Sequence, residues 1–172
     1  MEWFPWFLFL HVLAAIIAFG PTFSFAIIGA MGGAEPQHAN FATRVSHRIS
    51  DILVTPFAIS MPVTGALMIW AAQIPLLERD ARWLLLAILL YAIALSLALF
   101  VSRPNVNRII AMSGGSGGAP AGAQAGGPAG PPAGPPPEML RAIGVVQRSG
   151  MALVGLVVVI VFLMVMRPDL GF

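Results

Sequence analysis

The 172-residue chain contains no cysteine and no lysine, and it carries little charge of either sign. The lack of cysteine removes disulfides, thiolate metal sites and thiol redox chemistry. Charged residues make up 9% of the chain, against roughly 25% in ordinary soluble domains. So few charges do not cover a soluble globule, and a soluble fold is excluded. The formal net charge of +2 gives no nucleic-acid footprint, and no nucleic-acid partner is expected. With lysine absent, all nine basic residues are arginine, set against seven acids.

What the chain has in abundance is hydrophobicity. Hydrophobic residues make up 58%, and the mean hydropathy is +0.88. Four charge-free stretches, residues 3–34, 52–77, 83–102 and 149–166, are long enough to span a bilayer, whose core of about 30 Å needs about 20 helical residues. Membrane helices are predicted over about 5–31, 49–71, 82–102 and 146–166. The fold class is all-α membrane: a single polytopic domain built as a four-helix transmembrane bundle. Trp3, Trp6, Trp70 and Trp83 lie near span ends, where amphipathic rings favour the headgroup level. Gly20-Pro21 in the first span, and Pro56 and Pro62 in the second, are expected to kink these two helices. The first span follows Glu2 rather than a basic segment, so a retained helix is expected rather than a signal peptide.

A fifth uncharged stretch does not span. Residues 113–137 hold nine Gly and seven Pro, a composition that neither forms a membrane helix nor buries enough apolar surface to fold. A disordered, flexible Gly/Pro-rich linker is expected there, joining helices three and four. Its Gly spacing is irregular, which excludes a collagen triplet. Arg44, Arg48, Arg103, Arg108, Arg141 and Arg148 fall on one side of the four spans, and Arg79, Arg82 and Arg167 on the other, the latter offset by Glu78, Asp80 and Asp169. By the excess of Arg, the six-Arg side and the linker are expected to be cytoplasmic and both termini outside, in a bacterial cell membrane. Arg48, Leu53 and Val54 recur one hundred residues later as Arg148, Leu153 and Val154, a faint sign of a two-plus-two repeat.

His11 is the polar residue with most chemistry to offer. It lies five residues past Trp6, about 7.5 Å into the membrane, where ionisable groups are rare and face the bundle interior. Two readings stand open: an axial ligand to a haem (haem b) or a metal, or a neutral imidazole bonded to a backbone carbonyl or hydroxyl of a neighbouring helix. Helix two runs the other way, so Thr64 and Gly65 share the depth of His11, with Met61 and Met68 one turn to either side. Gly65 would leave room for a planar cofactor, and a thioether can ligate haem iron. Close packing through Gly and apolar filling by Met explain the same residues without a cofactor. Tyr91, in mid-span, needs a partner for its hydroxyl.

Arg44, His47, Arg48 and Asp51 share a helical face at the membrane boundary, with Arg148 at the same level. Asp51 can pair with Arg48 or His47. This constellation reads as a structural ion-pair layer with snorkelling arginines, or as an anion, headgroup or proton-access site. His38 stands in a loop beside Glu35 and is expected to be solvated. His38 and His47 have no third ligand near them in sequence, so no dedicated metal site is expected.

The runs FLFLHVLAAIIAFGPTFSFAIIGAMGG and HANFATRVSHRISDILVTPFAISMPVTGALMIW resemble the bacterial predicted integral membrane family called domain of unknown function 2269, over nearly the whole chain outside the linker. That family is distantly similar to the membrane domain of copper-resistance protein D and to the four-helix membrane protoporphyrinogen oxidase, both of which begin with a helix bearing an LH pair, matched here by Leu10-His11. The resemblance to the oxidase implies haem at that His and a third-span Lys, which this chain lacks. The leading functional expectation is a membrane protein binding haem or a related redox ligand through His11. The alternative is a non-catalytic assembly or interaction protein whose PPAGPPPE run tethers partners. Transport of a metal or small molecule ranks third, since coupled transport usually shows buried carboxylates or paired charges. Beyond the lipid bilayer, the expected partners are further copies of the chain or another membrane protein.

Overall fold

The computed structural model describes residues 2–76, 78, 81–114 and 136–168. Most of the Gly/Pro-rich linker, and the charged residues Arg79, Asp80 and Asp169, lie outside the described residues. Among those described, all regular structure is helical. Helix α1 runs Phe4–Ala34, and a 3-10 turn, Pro36–His38, leads into α2, Ala39–Ile49. A π-helical turn, Ser50–Val54, joins α2 to α3, Thr55–Ala72. Helix α4, Arg82–Ser96, passes through a second π turn, Leu97–Ser102, into α5, Arg103–Gly114. Helix α6 covers Pro137–Met166. Four continuous rods result, Phe4–Ala34, Ala39–Ala72, Arg82–Met112 and Pro137–Met166, each apolar and long enough to cross a membrane.

Both π turns sit two residues before a proline, Pro56 and Pro104. Proline cannot donate to the carbonyl four residues back, and its ring collides with it. Widening the preceding turn relieves that collision: the amides of Thr55 and Arg103 bond the carbonyls of Ser50 and Ala98, five residues back. The helix is bent and re-phased but not ended. Pro21 and Pro62 are likewise carried inside α1 and α3.

The rods pack as two hairpins. Helix α1 lies along α2 and α3, and α4–α5 lies along α6; between the hairpins the main contacts are α2 against α5 and α1 against α6. Buried positions are mostly small, among them Ala14, Ala18, Ala71, Ala87, Ala94 and Ala142. In lipid the hydrophobic effect does not drive helices together, so close backbone approach through small residues supplies the packing. Where α1 turns into α2, a Cβ on Gly32 would stand 3.2 Å from the Ala42 Cβ, so any side chain there would press α2 back by a few tenths of an ångström. Large apolar side chains such as Phe100, Val165, Ile16 and Ile27 point outward, as expected of a surface solvated by acyl chains.

The rods overrun the predicted spans at one end only. Residues 39–48, 103–114 and 137–145 extend spans two, three and four beyond the Arg-rich boundary as continuous helix. The 34 residues of Ala39–Ala72 measure about 51 Å, well beyond a hydrocarbon core of about 30 Å.

Candidate functional site

The site around His11 is built from α1 and α3. Ala14 and Ala18, three and seven residues on from His11, are buried, so the His11 side of α1 is the packed side. Opposite it, Gly65 presents bare backbone: a Cβ there would lie 3.5 Å from His11 Cε1 and 3.9 Å from Nδ1. The imidazole therefore rests directly on the glycine, and the space expected for a planar cofactor between them is taken by the ring itself. Met61 is buried and Met68 half-buried on α3.

Thr64 fixes the ring. Its Oγ1 is 2.8 Å from His11 Nδ1, and it also lies 3.2 Å from the Ser60 carbonyl and 3.1 Å from the Met61 carbonyl. Carbonyls only accept, so a hydroxyl proton directed to them leaves the Thr64 oxygen to accept from Nδ1–H. In that tautomer Nε2 carries the lone pair, and it has no hydrogen-bond partner among the described residues. This is the bond to a hydroxyl of a neighbouring helix given above as one of the two readings of His11, and it leaves Nε2 as the nitrogen able to coordinate. The 3.5 Å approach at Gly65 also gives a prediction. Gly65→Ala adds an ordinary van der Waals contact and is expected to leave thermal stability nearly unchanged. Gly65→Leu drives the ring away from Thr64 and is expected to cost about 1–3 kcal/mol in a detergent melt.

Tyr91 of α4 finds its partner across the hairpins. Its hydroxyl donates to the Ala58 carbonyl at 2.6 Å, and its ring meets Phe19 edge-on at 6.4 Å between centroids. Ala58 stands four residues before Pro62, so Pro62 deprives this carbonyl of its helical donor. The Tyr91 hydroxyl replaces the missing N–H.

In the boundary layer Asp51 takes one of its two expected partners, His47, and adds an unexpected one, Arg103, in place of Arg48. Asp51 bonds His47 Nε2 at 3.3 Å and Arg103 at 3.1 Å, while Arg44, Arg48 and Arg148 are exposed. Arg103 had been read only as a topology signal; its place at the end of span three, level with Asp51, was the available clue. Ser102 donates to Ser149 at 2.8 Å, and Ser149 to the Val146 carbonyl, which ties α6 to the second π turn. The Asp51 partners are one-quarter to nearly one-half exposed, so the pairs are screened. Asp51→Asn is expected to cost no more than about 1 kcal/mol in thermal unfolding of the full chain, and less in high salt. His38 bonds Glu35 at 2.9 Å on an exposed surface. Among the described residues no three His, Cys, Asp or Glu side chains gather as a metal site would require.

At the opposite end, Trp3, Trp70, Ala71 and Gln73 border one depression, which sets the ends of α1 and α3 level with each other. The Arg167 guanidinium lies 5.6 Å above the Trp83 ring, a cation–π contact.

No curated protein and no solved structure matches the chain. The model of one family, described as predicted integral membrane protein (DUF2269), matches residues 6–168. With nearly its whole length matched and four apolar rods crossing the fold, this chain belongs to the DUF2269 family of predicted integral membrane proteins.

Proposed function

We propose that the protein is a membrane-embedded binder of haem or a related planar redox ligand, which Nε2 of His11 would hold. The observation that carries this reading is the tether of His11 Nδ1 to Thr64 Oγ1, which leaves the other ring nitrogen as a free base inside the membrane. The residues present fit the group as a donor set: a neutral imidazole, oriented by a hydroxyl that is itself anchored to two carbonyls. Since the ring already covers Gly65, the ligand approaches Nε2 rather than entering between α1 and α3. When bound, the group supplies one-electron chemistry; the chain supplies the ligand atom, its orientation and an apolar surround. The Leu10-His11 pair gives secondary support, since it resembles the pair in copper-resistance protein D and in the membrane protoporphyrinogen oxidase. Without a third-span Lys the oxidase reaction is not proposed here.

The arginine excess supports an orientation with residues 39–48, 103–114 and 137–145 in the cytoplasm and both termini outside, in a bacterial cytoplasmic membrane. The test of the ligand reading is a haem titration of the purified, detergent-solubilised chain. A Soret band distinct from free haem in the same detergent, and lost in His11→Ala, is the expected result. A spectrum that never departs from free haem overturns the proposal.

A further inference from the structure

The Arg-rich end carries a surface that the His11 site does not explain. Of Arg44, Arg48, Arg103, Arg108, Arg141 and Arg148, only Arg103 is ion-paired among the described residues. Two of the unpaired ones form a defined face. On α2, Phe41, Arg44 and Arg48 fall within an arc of about 60°, and all three are exposed. The other side of α2 is committed to α1: a Cβ at Gly32 would meet Ala42 and Ala39. The arginine face therefore points away from the bundle. Next along the chain come Ile52 and Leu53, at 57% and 40% exposed, at the apolar start of span two. Phe41, beyond the arginines, is 63% exposed.

From the membrane outward the surface thus reads aliphatic, two guanidinia one turn apart, then aromatic. The first two match an acyl chain and the phosphate above it. We propose that Arg44 and Arg48 form a docking surface for the phosphodiester headgroup of an anionic phospholipid, whose acyl chain lies along Ile52. Guanidinium is suited to phosphate by its planar fork of donors. The pair selects an anionic lipid over a zwitterionic one because no acidic side chain among the described residues balances either arginine, and a choline headgroup brings its own cation. An outward face continuous with lipid-facing apolar residues also favours a lipid over a free anion, which is better held in a concave polar pocket.

Native mass spectrometry of the full-length protein, titrated with phosphatidylglycerol or phosphatidylcholine, tests this. The wild type is expected to bind phosphatidylglycerol about tenfold more tightly. In R44Q/R48Q the preference is expected to fall to within about twofold with an unchanged melting midpoint, since both side chains are exposed. R167Q, at the other end of the bundle, keeps the full preference. Should the double variant fail to fold, R48Q alone is expected to lose about half of the logarithmic preference. Equal binding of the two lipids by wild type, or full preference retained in R44Q/R48Q, overturns the proposal. So does displacement of the lipid by millimolar inorganic phosphate, which would mark a free-anion site.

Discussion

In haem-supplemented protein, His11→Ala is expected to leave only the spectrum of free haem, and Thr64→Val to weaken haem binding by about 10-fold while keeping the protein-bound Soret band. The difference follows from where each residue acts. His11 supplies the ligand atom, so its loss leaves the apolar surround with nothing to coordinate. Thr64 only holds the ring, through the 2.8 Å contact at Nδ1, and partners of this kind typically change affinity 10–100-fold. Valine keeps the shape of threonine and removes the acceptor, so Nδ1–H is left unpaired and the other tautomer gains population. Thr64→Ser retains the hydroxyl and is expected to restore most of the affinity. Optical titration of the three variants beside wild type checks this. If Thr64→Val and Thr64→Ser bind equally well, Thr64 does not orient the ligand; if His11→Ala keeps a Soret band distinct from free haem, the ligand atom lies elsewhere.

The second large effect belongs to Tyr91. Tyr91→Phe removes the donor that reaches the Ala58 carbonyl at 2.6 Å, and Pro62 prevents the helix from supplying another. Hydrogen bonds between membrane helices average only about 0.6 kcal/mol, because the freed groups usually find another partner. Here the helical alternative is blocked by covalent structure. The expected cost is therefore at the upper end, about 1.5 kcal/mol of thermal stability. A double-mutant cycle isolates the cause. In a Pro62→Ala background the amide of residue 62 can bond the Ala58 carbonyl, and Tyr91→Phe is then expected to cost about 0.5 kcal/mol. A coupling of about 1 kcal/mol between positions 62 and 91 is the predicted reading; independent effects would mean that Tyr91 acts through packing on Phe19 alone.

Much of the fold was legible because its signals are one-dimensional. Charge-free length, the Trp positions and the Gly/Pro density of residues 113–137 separate four spans from a fifth uncharged stretch without reference to tertiary contacts. Helix α5 ends at Gly114 and α6 begins at Pro137, at the edges of that segment. Depth counting also brought His11 level with Thr64 and Gly65, because antiparallel neighbours with similar rise must share depths.

What the sequence did not reveal was rotation about the helix axes. Asp51, which pairs with Arg103 rather than Arg48, lies within the π turn at Ser50–Val54, which shifts the phase between α2 and α3. That turn depends in turn on how Pro56 is accommodated. The helical extensions at 39–48, 103–114 and 137–145 were hidden for another reason. Hydropathy marks the part of a rod that lies in lipid, whereas α2, with its polar composition, continues as helix because α1 and α5 pack against it. The need of Tyr91 for a partner was legible; the identity of that partner required knowing which carbonyl Pro62 had freed and which helix passed it.

The central claim is that His11 is held through Nδ1–H and offers Nε2. It is tested most directly by nitrogen NMR of the detergent-solubilised chain labelled at histidine, recorded with and without a zinc porphyrin. This diamagnetic ligand takes one axial nitrogen. The account predicts that His11 is protonated at Nδ1 and bare at Nε2, and that the porphyrin shifts Nε2 while His38 and His47 stay in place. A His11 ring protonated at Nε2, or a spectrum indifferent to the porphyrin, would contradict it.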